Sequence, residues 1–193
     1  MTLAGASPRL EKLDVGCGLS ALPGFLGVDR NAAADVIHDL DLFPWPFHSD
    51  SFSHVVCRHS LGHLNDLVKV MEELHRVCRN GALIEIVSPH FSSDNFFTDI
   101  THKHSFGYRS FDYFCINRPC RYRYSPTAKF RLMESHISFV QARSFEPGTQ
   151  KLNPAQWLGI EFLINCMPRL YEHFLAFILR ANEIYFRLQV VKE

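Results

Sequence analysis

Short apolar runs, each closed by Gly, Asp or Pro, recur along the chain up to residue 90. They are rich in Val and Ile and lack polar alternation, which is typical of strands buried on both faces of a parallel sheet. Between the last two runs, apolar residues recur at helical spacing over residues 65–81, with Asn65 predicted as the N-cap and Gly81 as the end. This strand–helix–strand order predicts a parallel sheet with a right-handed crossover. The five predicted strands are KLDVG (12–16), GFLGVD (24–29), DVIHD (35–39), SHVVCRHS (53–60) and ALIEIVSP (82–89).

The pattern changes after residue 90, where aromatic, His and Arg side chains become frequent and the periodicity is lost. Two further amphipathic strands follow near the end of the chain, which raises the predicted number of strands to seven. The later elements are a short helix at 110–115, a strand at 130–140, a helical stretch at 154–182 interrupted at Pro168, and a last strand at 183–192.

The composition describes an ordinary globular chain. Its 193 residues are most economically one domain, with 47% hydrophobic and 21% charged residues. Lys and Arg together number 20, as do Asp and Glu, so no net field favours nucleic acid or an anionic membrane. Six cysteines without a CxxC pair, and the lack of a leader-like apolar segment or a membrane-length run, predict reduced thiols and a cytoplasmic location.

The candidate chemistry lies where predicted strands end. LDVGCG turns at Gly16 and Gly18, where glycine lets the backbone approach a ligand closely. Asp29 and Asp39 end the next two strands, and Asp14 lies near the end of the first. Ligands of open α/β sheets bind outside the carboxyl ends of the strands, and an acid there can accept hydrogen bonds from a ribose. The apolar run LDLFPWPF after Asp39 suits an aromatic base.

These residues, in the order LDVGCG, GVDRN, HDLDLFPWPFHSDSFSHVVCRHSLGHL and ELHRVCRNGALIEIVSPH, resemble the class I S-adenosylmethionine-dependent methyltransferases over residues 12–90. The chain is similar to small methyltransferases of the type 11 group that share a shortened first helix, since only LSALPGFL separates its first two strands. The resemblance implies a Rossmann-like α/β fold, a three-layer sandwich around a seven-stranded, mostly parallel sheet with an antiparallel last strand, and a first helix that is shortened or absent.

The resemblance also implies S-adenosylmethionine as the cofactor. The residues implied to bind it lie at successive strand ends. The glycine turn would cradle the cofactor, Asp29 would contact its ribose, Asp39 and Leu40 its adenine, and the residues after the fourth strand its sulfonium. One domain, 1–193, would comprise a cofactor-binding half at 12–90, an insertion covering the substrate pocket at 91–129, and C-terminal strands and helices at 130–193. The implied cofactor residues are Asp14, Gly16, Cys17, Gly18, Asp29, Arg30, Asp39, Leu40 and His59.

Three departures from the pattern of that family motivate a second hypothesis. Leu19 and Ser20 directly follow the glycine turn, Gly62 replaces the acid that commonly precedes the histidine after the fourth strand, and residues 79–81 read RNG where the family has Pro-Gly-Gly. A catalytically inactive cofactor- or nucleotide-binding module, acting as a sensor or scaffold, is therefore the alternative to an enzyme.

Histidines are the candidate catalytic residues, because a hydroxyl or amine acceptor can need a general base and His titrates near neutral pH. We favour His63, which follows the fourth strand, and His102, in the insertion. A metal cluster is an alternative use of these side chains, but the expected geometry is doubtful and we predict no metal. The residues considered for such a cluster are His59, His63, His90, Asp99, His102 and His104.

The segment RPCRYRYSPTAKFR, at 118–131, interleaves basic and tyrosine side chains. That composition suits RNA or an anionic small molecule, and a solvated loop explains it equally well. With zero net charge, a small-molecule acceptor, including an anionic one, is favoured over nucleic acid. The sequence thus predicts a methyltransferase for a small-molecule or sugar-like acceptor, without a membrane partner, as a monomer or homodimer.

Overall fold

A seven-stranded sheet organises the protein, in a computed structural model that describes residues 11–120, 122, 127–139 and 159–192. The spatial order of the strands is β3-β2-β1-β4-β5-β7-β6. The first five strands are parallel, and β7 runs antiparallel to both of its neighbours. The strands are β1 (Lys12–Val15), β2 (Leu26–Asp29), β3 (Val36–Ile37), β4 (Phe52–Arg58), β5 (Cys78–Pro89), β6 (Phe130–Ser138) and β7 (Glu183–Val190).

The strand order reverses between β1 and β4. The chain builds β2 and β3 on one side of β1 and then crosses to form β4 and β5 on the other. Loops that leave the carboxyl ends of β1 and β4 therefore diverge and leave a crevice, which is where open α/β sheets bind ligands. Apolar residues of the three central strands are fully buried, with Leu13, Val55 and Ile84 at 0% exposure, which explains the apolar runs in their sequences.

No helix lies between β1 and β2. A hydrogen bond from the Gly16 N–H to the Val28 carbonyl turns the chain directly back, at 2.8 Å. The Asp14 carboxylate then accepts the Leu22 N–H at 3.0 Å and holds the connection against the sheet. The expectation of a shortened or absent first helix is confirmed, and these hydrogen bonds satisfy backbone groups of the connection instead.

Helix α1 (Leu67–Val77) crosses from β4 to β5 and buries Val70, Met71 and Leu74. Two boundary predictions were wrong. The N-cap is Asp66, whose side chain accepts the Lys69 N–H at 3.0 Å, and not Asn65. Gly81 lies inside β5, because the helix already ends at Val77 and the strand begins at Cys78.

The remaining described elements are short. The predicted helix at 110–115 is a 3-10 turn, Asp112–Phe114, and a second such turn, Leu61–His63, follows β4. Within the expected helical stretch, the break falls at Met167 before Pro168, as predicted, whereas residues 154–158 lie outside the described residues and the chain is not helical after Phe174. The further helices are α2 (Asp94–Thr98), α3 (Ile160–Cys166) and α4 (Pro168–Phe174).

Candidate active site

A cleft of about 570 Å³ opens at the carboxyl ends of β1, β2 and β4. Three stretches of the N-terminal half line it: Gly16, the pair Asp29–Arg30 and residues 39–41. The turn after β4 and the segment after α2 close the other side, through His59, Ser60, His63, Leu64, Asp99, Ile100, Thr101 and Lys103. The cleft thus lies at the reversal of strand order, where the fold places a ligand.

Gly16 forms the floor of the cleft where β1 ends. Its φ is +72°, in the left-handed region, and a Cβ there would lie 2.3 Å from the Cβ of Ser60. Only glycine satisfies both requirements. Ser60 is 8% exposed and lines the cleft, and its Oγ has no hydrogen-bond partner among the described residues. A buried hydroxyl without a partner in a cleft is available to a ligand.

Asp29 lies at the end of β2 and keeps free hydrogen-bonding capacity. Its Oδ2 accepts the Gly18 N–H at 3.0 Å and its Oδ1 accepts the Asn31 N–H at 2.9 Å. Each carboxylate oxygen can accept a second hydrogen bond, so the side chain is held in place and can still accept bonds from a ligand. Arg30 follows it at the edge of the cleft and is exposed.

Asp39 and Leu40 follow β3 on the same side. Asp39 accepts the Asp41 N–H, which fixes a tight turn. Leu40 is 6% exposed, and its carbonyl accepts the indole N–H of the buried Trp45 at 3.0 Å. Asp41 binds both the backbone and the side chain of Asn65. The result is an apolar wall with a carboxylate beside it.

Three of the residues predicted to bind the cofactor lie outside the lining of the cleft. Asp14 is fully buried, and its Oδ2 pairs with Arg58 at 2.7 Å. The Cys17 side chain packs on Gly27, where an added Cβ would lie 2.7 Å from its Sγ. Burial, and then the charge of Asp14, raises the pKa of the Cys17 thiol. Together with Gly18, which donates to Asp29, these residues support the turn from behind.

His59 lines the cleft directly after β4. It has a φ of +52°, which is rare for a side-chain-bearing residue. Its N–H donates to the Val87 carbonyl at 2.8 Å, and its Nε2 lies 3.0 Å from the carboxylate of Glu183 at the start of β7. The strained turn therefore joins the end of β4 to the neighbouring strands and presents the imidazole to the cleft.

His63 and His102 lie together, although 38 residues separate them. Their rings stack with centroids 4.3 Å apart and an interplanar angle of 18°. His63 lines the cleft, and His102 lies behind it rather than on the surface of the cleft. The stack depends on Gly62, because a Cβ there would lie 3.0 Å from Cδ2 of His102.

Thr101 is a cleft residue that the sequence interpretation missed. Its Oγ1 lies 2.9 Å from Nδ1 of His63 and donates to Oδ1 of Asp99 at 2.6 Å. Sequence spacing offers no signal for this contact, because it joins the turn after β4 to the segment after α2. His102 and His104 were the candidates in this stretch because of their chemistry, whereas the neighbouring Thr101 makes the link to His63.

The six residues considered as a metal cluster do not gather at one point. Within the described part of the chain, His63, Asp99 and His102 come together, with one ligand-type atom of each within 4.8 Å of the others. His59 pairs with Glu183 instead, and His90, fully buried, contacts Ser92 and Glu172. Stacked rings direct their nitrogen lone pairs nearly parallel, whereas chelation requires them to converge, so this arrangement does not favour a metal.

The departures from the family pattern do not remove a residue from the cleft. Residues 79–81 lie at the beginning of β5, and β5 pairs there with the beginning of β4, at the opposite edge of the sheet. Gly62 makes room for His102. The basic and aromatic segment lies away from the cleft where it is described: Arg118 pairs with Asp112 at 2.9 Å. Residues 121 and 123–126 lie outside the described residues.

Comparison with known proteins agrees with this architecture. Residues 13–86 match the family model of a methyltransferase domain. No curated protein matches the chain significantly. Among solved structures, the chain is similar to an S-adenosylmethionine-dependent methyltransferase from Archaeoglobus fulgidus, with 19% identity, 94% of this chain and 88% of that chain covered, and a TM-score of 0.53.

Two further structures show the same fold. An S-adenosylmethionine-dependent methyltransferase from Mesorhizobium loti has 14% identity, covers 95% of this chain and 93% of its own, and has a TM-score of 0.50. The Haloferax volcanii protein solved with the Trm112 methyltransferase activator has 13% identity, coverage of 94% and 82%, and a TM-score of 0.56. The resemblance stated from the sequence is confirmed at this level: residues 13–86 match the methyltransferase-domain model, and the chain has the fold of class I S-adenosylmethionine-dependent methyltransferases. None of the helices in the described part is long and apolar enough to cross a membrane.

Proposed function

We propose that this protein transfers the methyl group of S-adenosylmethionine to a small-molecule acceptor. The observation that carries the proposal is one cleft that gathers Gly16, Asp29 and Asp39 from three strand ends and places His63 across from them. The unpartnered hydroxyl of Ser60, and a floor that any side chain at Gly16 would fill, fit a ligand that lies close to the backbone.

The cofactor would extend along the ends of the strands. Asp29 accepts the ribose hydroxyls, with Arg30 beside it, and Leu40 packs against the adenine, with Asp39 at its edge. The methionine end lies over Gly16, towards His59. Asp14, Cys17 and Gly18 act indirectly, because they shape the turn that these groups contact.

The cofactor supplies a reactive methyl group on a sulfonium, and the protein aligns the acceptor and excludes water. His63 is the proposed general base, and His102 supports it through the ring stack. A small acceptor fits a cleft of this volume. Arg30 and Lys103 could pair with an anionic acceptor, against the carboxylates of Asp29, Asp39, Asp41 and Asp99 in the same lining. We extend the proposal to a cytoplasmic protein that works as a monomer or homodimer.

Calorimetric titration with S-adenosylhomocysteine, the demethylated cofactor, tests the cofactor site. We expect saturable binding, and we expect Asp29→Asn to weaken it roughly tenfold or more because hydrogen bonds to a carboxylate are lost. Asp35→Asn is the matched control, since Asp35 accepts the Gly27 N–H close by but does not line the cleft. Its affinity should stay within about threefold of the wild type.

Absence of heat with S-adenosylhomocysteine, or equal losses in the two variants, would contradict the proposed site. Transfer of isotope-labelled methyl to any of a panel of alcohols, amines and sugars then separates an enzyme from the inactive binding module. The departures that motivated an inactive module, at Leu19, Ser20, Gly62 and residues 79–81, do not belong to the lining of the cleft, and therefore we propose the enzyme.

A further inference from the structure

The hydrogen bonds of Thr101 determine where its single proton lies. Asp99 Oδ1, at 2.6 Å from Thr101 Oγ1, is a carboxylate oxygen and can only accept. Hydrogen bonds from the Thr101 side chain and backbone hold the pKa of Asp99 below its usual range, so the carboxylate is ionised near neutral pH. The hydroxyl proton of Thr101 therefore points to Asp99.

His63 must then donate. With its proton committed to Asp99, Thr101 Oγ1 can only accept at its other contact, 2.9 Å from Nδ1 of His63. The neutral imidazole consequently carries its proton on Nδ1 and leaves Nε2 with a lone pair. The bond made by one ring nitrogen fixes the role of the other.

This chain of hydrogen bonds is held in place by the backbone around it. The Thr101 N–H donates to Asp99 Oδ1 at 2.9 Å, which orients the carboxylate locally. The Lys103 and His104 N–H groups both donate to the Gly62 carbonyl, at 2.7 and 3.1 Å, and fasten the segment to the turn that carries His63. All three members of the chain, His63, Thr101 and Asp99, line the cleft.

We propose that Thr101 and Asp99 are positioning residues that fix His63 as the Nδ1–H tautomer, so that its Nε2 accepts the proton of the methyl acceptor. The inference rests on the proposed function and narrows its substrate class. A base is needed where the attacking group carries a proton, as a hydroxyl or amine does. Carboxylates and phosphates are ionised at neutral pH and need no base.

The step balances without an added reactant. A lone pair of the acceptor oxygen or nitrogen forms the bond to the methyl carbon as the carbon–sulfur bond breaks, and the electron pair of that bond stays on sulfur. The acceptor proton passes to Nε2 of His63. The resulting imidazolium is stabilised through Thr101 by the charge of Asp99.

Nitrogen-15 NMR of the histidine-labelled full chain, in alkaline buffer where the imidazole is neutral, tests the tautomer directly. The His63 signals are identified by their loss in His63→Gln. We expect wild-type His63 as the Nδ1–H form. Thr101→Val keeps the shape and removes the acceptor oxygen, and should lower the ratio of Nδ1–H to Nε2–H forms roughly tenfold. Thr101→Ser keeps the hydroxyl and should preserve the wild-type ratio.

Asp99→Ala supplies a second test at an exposed position. Without the carboxylate, the Thr101 hydroxyl is released to donate to Nδ1, and the His63 tautomer should invert to Nε2–H. A wild-type Nε2–H tautomer, or one unaffected by Thr101→Val and Asp99→Ala, would overturn the proposal. So would stoichiometric binding of zinc that His63→Gln and Asp99→Ala both abolish, because it would identify a metal site instead. Calorimetry with S-adenosylhomocysteine on the same samples shows whether the cofactor site is intact. It therefore distinguishes failure of the tautomer proposal from failure of the proposed function.

Discussion

At the scale of single residues, the close approach of Gly16 to Ser60 requires a glycine at the floor of the cleft. The turn after β1 and the turn after β4 approach until no side chain fits at Gly16. Gly18 has a similar left-handed φ of +64° but nothing within 4 Å of the position of a Cβ. Substitutions at the two glycines therefore distinguish the cost of a left-handed backbone, present at both, from the cost of steric overlap, present only at Gly16.

We predict that Gly18→Ala lowers the free energy of unfolding by about 1 kcal/mol, the cost of a left-handed conformation. Gly16→Ala adds the overlap with Ser60 and should cost roughly 3 kcal/mol, with loss of S-adenosylhomocysteine binding. Urea denaturation of both variants measures the difference. Equal losses of unfolding free energy in the two variants would mean that Gly16 and Ser60 do not pack closely enough to exclude a side chain.

Gly62 shows why part of the site was predictable only in outline. The sequence shows that Gly62 stands where the family commonly has an acid. The physical reason for a glycine at this position is the ring of His102, which packs against it from a distant segment. For Asp14 the sequence predicted the position of the residue but not the direction of its side chain. Its position at a strand end is as predicted, yet its carboxylate is directed into the protein, towards Arg58 and the Leu22 N–H.

At the scale of elements, a cluster of side chains joins β4, β5 and β7 on the sheet. Glu85 accepts hydrogen bonds from the Tyr185 hydroxyl and the Arg187 guanidinium, both at 2.9 Å. His54 Nε2 lies 3.4 Å from the other carboxylate oxygen of Glu85. His54, Tyr185 and Arg187 hold the pKa of Glu85 well below its usual range, at about 2, against the effect of burial.

A carboxylate whose pKa is depressed by folding contributes stability above its unfolded pKa and loses it as the pH falls towards its folded pKa. We therefore expect Glu85 to contribute up to about 3 kcal/mol at neutral pH and to lose that contribution between about pH 4.5 and pH 2. The free energy of unfolding of Glu85→Gln should be lower than that of the wild type at pH 7 and should converge with it near pH 2.

Glu134→Gln is the control for this cluster, because Glu134 contacts the same Arg187 at 3.5 Å but is 48% exposed. Its stability curve should follow the wild type to within about 1 kcal/mol at every pH. A constant offset between Glu85→Gln and the wild type down to pH 2 would contradict the assignment.

The elements themselves follow from local sequence where burial is continuous. β1, β2 and β4 are short and carry buried apolar residues such as Leu13, Val28 and Val55, so apolar runs identify them. The start of β5 was missed because Arg79 and Asn80 are polar and follow the pair Phe52–Cys78 at a register irregularity, before regular pairing with β4 resumes at His54–Leu83. Pairing across a sheet is not encoded in the local period.

At the scale of the whole molecule, the reversal of strand order between β1 and β4 converts separate strand ends into one site. The cleft residues Gly16, Asp29–Arg30 and 39–41 lie at or after the ends of β1, β2 and β3, whereas His59 and His63 follow β4. The sequence predicted these strand ends and the side chains on them. The sequence predicted an insertion at 91–129 over the pocket, but not the contacts of Thr101, Lys103 and His104, which are non-local hydrogen bonds to His63 and Gly62.

A crystal structure with S-adenosylhomocysteine tests this account most directly. We predict density along the cleft, with the ribose hydroxyls within hydrogen-bond distance of Asp29, the adenine against Leu40, and the sulfur on the side of His59 and His63. The open space beyond the sulfur should then be bounded by His63 and Thr101. Density outside this cleft, or a molecule in the reverse orientation with its adenine at His63, would contradict the account.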